Sequence, residues 1–522
     1  MIVRKNRGRT ANVKRNIIYG MLQIAVSRAF PFCVRTIVIY RFGIEYLGLS
    51  GLFTSVLSTL SLMELGFGTA VVYSMYKPVA EGDTVLICAY LRYYRKIYRF
   101  IGIAILIVGL LLMPFLHKLV RDPVLPGGLN LYVCYLIFLG NAVIGYLLYG
   151  YMSAIPTAYQ RRDILSRIDM GCALFGSVIK IFILLSSNSF YLYLVCMPFI
   201  TITNNLIVLY VVKRMYPEIP LQGEITTEQK HDLQKKVSGI LVNKLTNVSR
   251  NSIDSLCISA FIGLVATGIY DNYFMVMSSL LSAAVMVCTS MMASVGNSIA
   301  VESRNKNYTD MRLFDFMFMS VAGWSMVCML CLYQPFMLTW VGKEKMFRMS
   351  IVLELCVYYY VLLAGAIRWV YHEGAGLWWE CRFIMIGEAI ANIVLNIILC
   401  RFLGVAGIVL ATILSVFATN CILCPELIFR QYFKNGKLHE YWMDHVCYAT
   451  TTALTGGICW LICYMLLPMT MVAEREIMKC IICLSGRLVV CTIITVGVLW
   501  IVWHKSGRYN DAIKWIGKIK LL

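Results

Sequence analysis

Long apolar runs recur along the whole chain, each closed by a short polar packet, and they frame every other feature. A helix that crosses the hydrocarbon of a bilayer needs roughly 20 mostly apolar residues. Fourteen segments have that character: 16–40, 46–75, 98–117, 129–151, 168–187, 190–212, 238–261, 268–299, 313–338, 350–371, 382–400, 403–424, 446–467 and 477–503. Segments 238–261 and 268–299 are rich in Ser, Asn and Thr, as expected of helices turned to a polar cavity rather than to lipid. The longest polar interval, 213–237, lies near the midpoint of the first twelve segments. The expected layout is a basic N-terminus 1–15, a six-helix bundle 16–212, a linker 213–237, a second six-helix bundle 238–424, a loop 425–445, an additional helix pair 446–503 and a basic tail 504–522.

Composition agrees with a lipid solvent. Of 522 residues 60% are hydrophobic and only 14% charged, against roughly 25% charged in soluble domains. The net charge of +20 comes from 47 Lys and Arg against 27 Asp and Glu. That charge lies in short packets between the spans rather than in one basic domain, which argues against nucleic acid as a partner. With the N-terminus inside, 31 basic residues fall in inner intervals and 9 in outer ones. This asymmetry predicts an even number of spans with both ends cytoplasmic. No small-residue cleavage site follows the basic start, so no cleaved signal peptide is expected. The 20 cysteines sit mostly inside apolar runs and read as small hydrophobes, the CxxC-like spacings Cys328–Cys331, Cys421–Cys424 and Cys480–Cys483 included. No Walker A sequence, H-E-x-x-H site or nucleophile–base arrangement is present, so neither an ATP-driven pump nor an enzyme is expected, and no cofactor or metal.

A repeat is visible at an offset of 220 residues. FGIEYLGLSGLF at 42–53 matches IGLVATGIYDNY at 262–273, pairing Gly43 with Gly263, Gly48 with Gly268 and Phe53 with Tyr273. Repeated bundles are the usual basis of alternating access. Apart from those at the span ends (Arg99, Arg382 and Lys479), seven basic residues remain inside the spans: Arg28, Arg35, Lys180, Lys244, Arg250, Arg368 and Arg487. A charge facing lipid at mid-membrane costs at least about 2.5 kcal/mol, so these groups are expected to face one another, water or an anionic substrate. Arg28 and Arg35 share a helix face, and Arg250 is spaced to pair with Asp254. Asn243, Asn247, Asn251 and Ser255 extend a polar stripe on the same helix. The candidate substrate-binding set is Arg28, Arg35, Lys180, Asn247, Arg250, Asn251 and Arg368, because basic groups in a lined cavity favour phosphate or carboxylate. Glu64, Asp254, Glu354 and Glu388 are candidates for charge pairing or ion coupling, with Glu64 a potential partner of Arg28 or Arg35. Arg487, in the terminal pair, is read as reaching lipid headgroups, and Lys180 as open to snorkelling.

The N-terminal wording carries a resemblance. TANVKRNIIYG at 10–20, then FGIEYLGLSGLFTSVLSTLSLMELGFGTAVVYSMYKPVAEGD at 42–83, with Tyr46-Leu47-Gly48-Leu49 and the ELGFG turn at 64–68, resembles the polysaccharide-export branch of the multidrug, oligosaccharidyl-lipid and polysaccharide exporter superfamily, above all its O-antigen and capsule repeat-unit flippases. The resemblance implies an all-α polytopic membrane protein: two pseudo-symmetric six-helix bundles forming a V, plus a C-terminal pair, about fourteen transmembrane helices. It also implies translocation of an undecaprenyl-diphosphate-linked oligosaccharide across the bacterial cytoplasmic membrane. Membrane lipids, and a polymerase or glycosyltransferase, are the expected partners. Arg28, Arg35 and Arg250 match the family's cavity arginines by helix and face. The coupling ion, H+ or Na+, is left open. Lipid II or teichoic/teichuronic acid flipping, cation-coupled drug export and a non-transporting scaffold are the alternatives.

Overall fold

The computed structural model describes residues 9–519 apart from 65, 121–127, 220, 378, 435, 470–471 and 473–475, and not the side chains of 9–18, 62–63, 235–236, 238–251, 290, 293, 300, 477 and 516–519. Among the described residues the secondary structure is helical, without strands. Eleven of the described helices are long and apolar enough to cross a membrane. A pair bent by 54°, Leu131–Leu147 with Gly150–Ala158, makes a twelfth. Two shorter apolar helices, Ile44–Leu60 and Ser252–Phe261, stand where the second and seventh segments are expected. The chain is an all-α polytopic membrane protein. It forms two compact units, Met1–Gly268 and Ile269–Leu522.

The first unit holds α1 (Arg9–Arg41), α2 (Ile44–Leu60), α3 (Phe67–Glu81), α4 (Thr84–Leu112), α5 (Leu131–Leu147), α6 (Arg162–Ser186), α7 (Phe190–Met215) and α8 (Thr227–Phe261). α1 packs chiefly on α6, α5 on α4 and α7, and α2 on α8. By packing, α8 therefore belongs with the helices before it. Ser252 Oγ lies 2.7 Å from Ser58 Oγ of α2, and the Ser259 hydroxyl donates to Leu119 O at 2.8 Å.

Several helix ends differ from the hydropathy pattern. Segment 46–75 is two helices: α2 ends at Leu60, a tight turn covers Ser61–Glu64, and Gly66 takes φ 97° before α3. A left-handed φ is accessible to glycine without a Cβ clash, so the ELGFG sequence marks a break. The polar interval 76–97 is mostly helix. α3 continues to Glu81, Gly82 closes it at φ 75°, and the Asp83 carboxylate accepts from Leu86 N to start α4. Within 213–237, α8 starts at Thr227 behind a capping box. The Thr226 hydroxyl accepts from Gln229 N at 3.2 Å, and the Gln229 amide oxygen accepts from Thr226 N at 2.9 Å.

The repeated sequence has repeated geometry. Gly43 (φ 118°) and Gly263 (φ 133°) each turn the chain between two helices, α2 following the first and α9 (Leu264–Val301) the second. Five residues on, Gly48 and Gly268 face each other. A methyl group on Gly48 would lie 2.0 Å from Leu264 O, and one on Gly268 2.4 Å from Ile44 O.

The second unit continues α9 and adds α10 (Arg304–Trp340), α11 (Met349–Ala364), α12 (Ala366–Gly374), α13 (Arg382–Leu403), α14 (Val405–Phe417), α15 (Leu438–Leu466), α16 (Ile477–Trp503) and α17 (Gly507–Ile519). α10 is its hub, packed on α11, α15 and α16. Gly365 interrupts the predicted segment 350–371 between α11 and α12. Arg312 of α10 donates to Asp444 Oδ2 at 2.8 Å and Glu440 Oε2 at 2.7 Å, and Arg508 of α17 donates to Asp444 Oδ1 at 2.7 Å. One carboxylate thus ties three helices at one end of the unit.

Candidate functional sites

In the first unit, periodicity places Arg28 and Arg35 on one face of α1, with Pro31 between them. Arg28 is exposed and Arg35 half-buried, inside the apolar span Tyr19–Arg41. One turn before Arg28, the Gln23 amide donates to Asp169 Oδ2 of α6 at 3.0 Å, and Asn204 of α7 donates to Asp169 Oδ1 at 3.0 Å. A carboxylate with both oxygens engaged by neutral amides is held in place without a counter-charge from those groups. Asp169 was open to detection as an acid inside the apolar segment 168–187. Lys180 lies on the same helix, half-buried, its ammonium 5.9 Å from the centre of the Tyr193 ring.

Glu64 occupies the break between α2 and α3. Its Oε1 accepts from the Tyr98 hydroxyl at 2.7 Å and its Oε2 from the Tyr146 hydroxyl at 2.8 Å. The Tyr94 ring lies tilted against that of Tyr98, centroids 4.6 Å apart. Among the described residues Glu64 thus bonds phenols 34 and 82 residues away, rather than the arginines of α1. Replacing Glu64 by Ala removes the charged acceptor from both hydroxyls, each a loss of about 1–3 kcal/mol. Glu64→Gln keeps one acceptor oxygen and loses roughly half as much. Thermal unfolding of the two purified variants in detergent is expected to rank wild type above Gln above Ala.

Asp254 is buried on α8. The side chains of Asn247, Arg250 and Asn251 on that helix lie outside the described residues, as do those of Asn243 and Lys244.

In the second unit, Arg368 and His372 are one turn apart on α12, exposed by 1% and 0%. The three guanidinium nitrogens and both ring nitrogens have no hydrogen-bond partner among the described residues. The His372 ring stacks on Trp369 at 4.8 Å. Glu354 is half-buried on α11, with Oε2 buried and without a hydrogen-bond partner among the described residues. Glu388 heads a buried stripe on α13 that continues through Asn392 and Asn396. Asn392 donates to Thr412 Oγ1 of α14 at 3.0 Å, and Asn396 to Asn392 Oδ1 at 3.3 Å. The four-residue spacing of 388, 392 and 396 was the available signal. Asp315 Oδ2 lies 3.0 Å from His445 Nε2, joining α10 to α15. Arg487 is buried rather than at the headgroups, donating to Cys331 O and Leu467 O.

The cysteines are all free thiols. Cys331, Cys463 and Cys491 place their sulfurs within 4.8 Å of one another, and Cys381 Sγ lies 3.6 Å from Cys424 Sγ. The trio, whose spacing could hold a metal ion, packs with Val327 and Cys459 in an apolar cluster.

No known family model matches the chain, and no curated protein matches it. Solved structures do. The inward-facing form of a multidrug-resistance MATE family transporter of the MOP superfamily aligns over 80% of this chain and 99% of its own, at 12% identity and TM-score 0.63. The lipid II flippase MurJ in an inward closed conformation aligns over 94% and 99%, at 12% identity and TM-score 0.66. A MOP-superfamily transporter from Pyrococcus furiosus aligns over 82% and 96%, at 14% identity and TM-score 0.52. The chain shares the fold of these transporters. At these identities the likeness concerns the fold alone.

Proposed function

We propose that this chain is a flippase that carries an anionic lipid-linked glycan, of the undecaprenyl-diphosphate-linked oligosaccharide class, from the inner to the outer leaflet of a bacterial cytoplasmic membrane by alternating access. The observation that carries the reading is the basic face of α1. Arg28 is exposed inside an apolar span and Arg35 follows two turns later. An exposed guanidinium at membrane depth is tolerated where it meets water or an anion, and a guanidinium is suited to phosphate through paired N–H donors. The ligand class follows from that chemistry: a diphosphate head that needs charge offset while an apolar tail stays in lipid. No bond is made or broken, so the reading is of a secondary transporter rather than an enzyme.

Lipid II flipping is the second reading, favoured by one observation. The MurJ alignment reaches 94% of this chain whereas the MATE alignment reaches 80%. Longer coverage fits lipid-linked cargo better than drug export. A proton is the proposed coupling ion in either case, with Asp169 and Glu64 as the carboxylates fixed by neutral hydrogen-bond donors.

The test is headgroup translocation in proteoliposomes, comparing wild type with the Arg28→Ala, Arg35→Ala double variant. Wild type is expected to flip diphosphate-linked oligosaccharide, and the folded double variant to lose at least about tenfold in rate, the equivalent of roughly 1.4 kcal/mol. Wild-type protein that ignores every diphosphate-linked donor and instead exports small organic cations overturns the reading.

A further inference from the structure

Within the second unit, α10, α11, α14 and α15 enclose a cavity of about 670 Å³. That is in the range of small-molecule sites, roughly 300–1,000 Å³. Its walls are largely apolar, with Met326, Val357, Val361 and Trp442 among them. Three more of its lining residues, Phe417, Ile422 and Val446, are exposed by 46%, 43% and 57%. Their helices are membrane spans, so this rim presents apolar side chains to the surrounding lipid.

The polar end of the cavity is built differently. Asn420, Cys421 and Tyr441 line it, and behind them lies Arg368. The guanidinium folds over Gly365: a methyl group placed on Gly365 would be 2.5 Å from one Arg368 terminal nitrogen and 3.2 Å from Asn420 Cγ. Cys421, Cys424 and Tyr441 are its other close neighbours. No carboxylate pairs with it among the described residues. Of the acids in this region, Glu373 accepts from Trp369 Nε1 at 2.8 Å, Asp315 lies 3.0 Å from His445 Nε2, and Glu388 faces Cys381 and Cys424. A fully buried guanidinium with only a thiol and a phenol beside it carries a heavy desolvation penalty, and such a group in a folded protein calls for an explanation.

We infer that this cavity is a binding site for an anionic phospholipid, with an acyl chain along the apolar walls and the phosphate held by Arg368 and Asn420. The two halves of the argument are independent. The lipid-facing apolar rim and volume select a membrane amphiphile, and the unmatched cation selects a negative head. The site lies wholly within the second unit and does not depend on the flipping reading. A regulatory or structural lipid here leaves α1 chemistry untouched.

The experiment is a thermal-shift titration of the purified full chain in a neutral detergent with phosphatidylglycerol, phosphatidylcholine or oleate. Phosphatidylglycerol is expected to raise the midpoint by roughly 2–4 °C near saturation, and phosphatidylcholine to leave it unchanged. Arg368→Gln is expected to abolish the rise. Ala449→Trp, which fills the cavity from an exposed position on α15 and keeps the guanidinium, is expected to abolish it as well. Should Arg368→Gln fail to fold, Ala449→Trp alone decides. An equal rise in Ala449→Trp and wild type places the lipid elsewhere and overturns the site. A response to oleate and not to phosphatidylglycerol, or equally to phosphatidylcholine, overturns the ligand class.

Discussion

Gly48→Leu is expected to abolish recovery of folded protein, and Gly48→Ala to lower the thermal midpoint steeply. The added Cβ would sit 2.0 Å from Leu264 O and 2.8 Å from Leu264 C, with Gly268 N at 3.2 Å. These are backbone atoms, so no rotamer change relieves the overlap and two helices must separate. Overpacking of this kind costs about 1–3 kcal/mol where side chains can give way, and more where they cannot. Alanine's better helix propensity returns only about 1 kcal/mol. Gly268→Ala meets Ile44 O at 2.4 Å and is expected to behave alike. Gly140→Ala on α5 is the control: nothing lies within 4 Å of its Cβ, so the propensity gain stands alone and the midpoint is unchanged or higher. Fluorescence-detected size exclusion and a detergent melt read all four variants. A Gly48→Ala protein as stable as wild type refutes the close approach of α2 to Leu264.

That contact also marks what a single sequence reveals. The 220-residue offset paired Gly43 with Gly263 and Gly48 with Gly268 from letters alone, and the shared geometry explains why both copies need glycine: one for a positive φ, the other for backbone contact. Hydropathy located the spans because lipid imposes length and apolarity on each one. It blurred their ends because caps are one-residue events, such as Gly66 inside an apolar run and the Thr226–Gln229 box inside a polar one. Windows of about 20 residues average over both.

Site chemistry was legible by position more than by partnership. The charges of Arg35, Glu64 and Arg368 stand out against apolar neighbours. Which groups meet them is decided by tertiary packing across large separations. Glu64 is bonded by Tyr98 and Tyr146, and Asp169 by Gln23 and Asn204. Tyr, Gln and Asn are unremarkable letters in a membrane helix, so nothing in the pattern singled them out as the partners of a carboxylate.

Arg487 shows how a charge assigned to the surface by position is claimed by the fold. Its NH1 donates to Cys331 O at 2.6 Å. Four residues after Cys331 stands Pro335, inside α10. Proline has no N–H, so the Cys331 carbonyl loses its intrahelical donor, and Arg487 supplies one from α16. NH2 and Nε donate to Leu467 O at 2.6 and 3.2 Å, at the C-terminal cap of α15, where the helix's last carbonyls also lack intrahelical partners. One guanidinium therefore satisfies two backbone oxygens that helix geometry leaves open, and pins α10, α15 and α16 together. Arg487→Leu is expected to orphan both at membrane depth, a loss of about 1–3 kcal/mol for each, read as a marked fall in the thermal midpoint. Pro335→Ala restores an N–H at the position that Cys331 O requires. The double variant Arg487→Leu, Pro335→Ala is therefore expected to recover about 1–2 kcal/mol of the loss, leaving the Leu467 share. Lysine at 487 reaches one carbonyl but lacks the planar fork that serves two, and falls between wild type and Leu. Additive effects of the two substitutions, with no recovery in the double variant, would show that Arg487 and Pro335 are energetically unconnected and that the arginine acts through α15 alone.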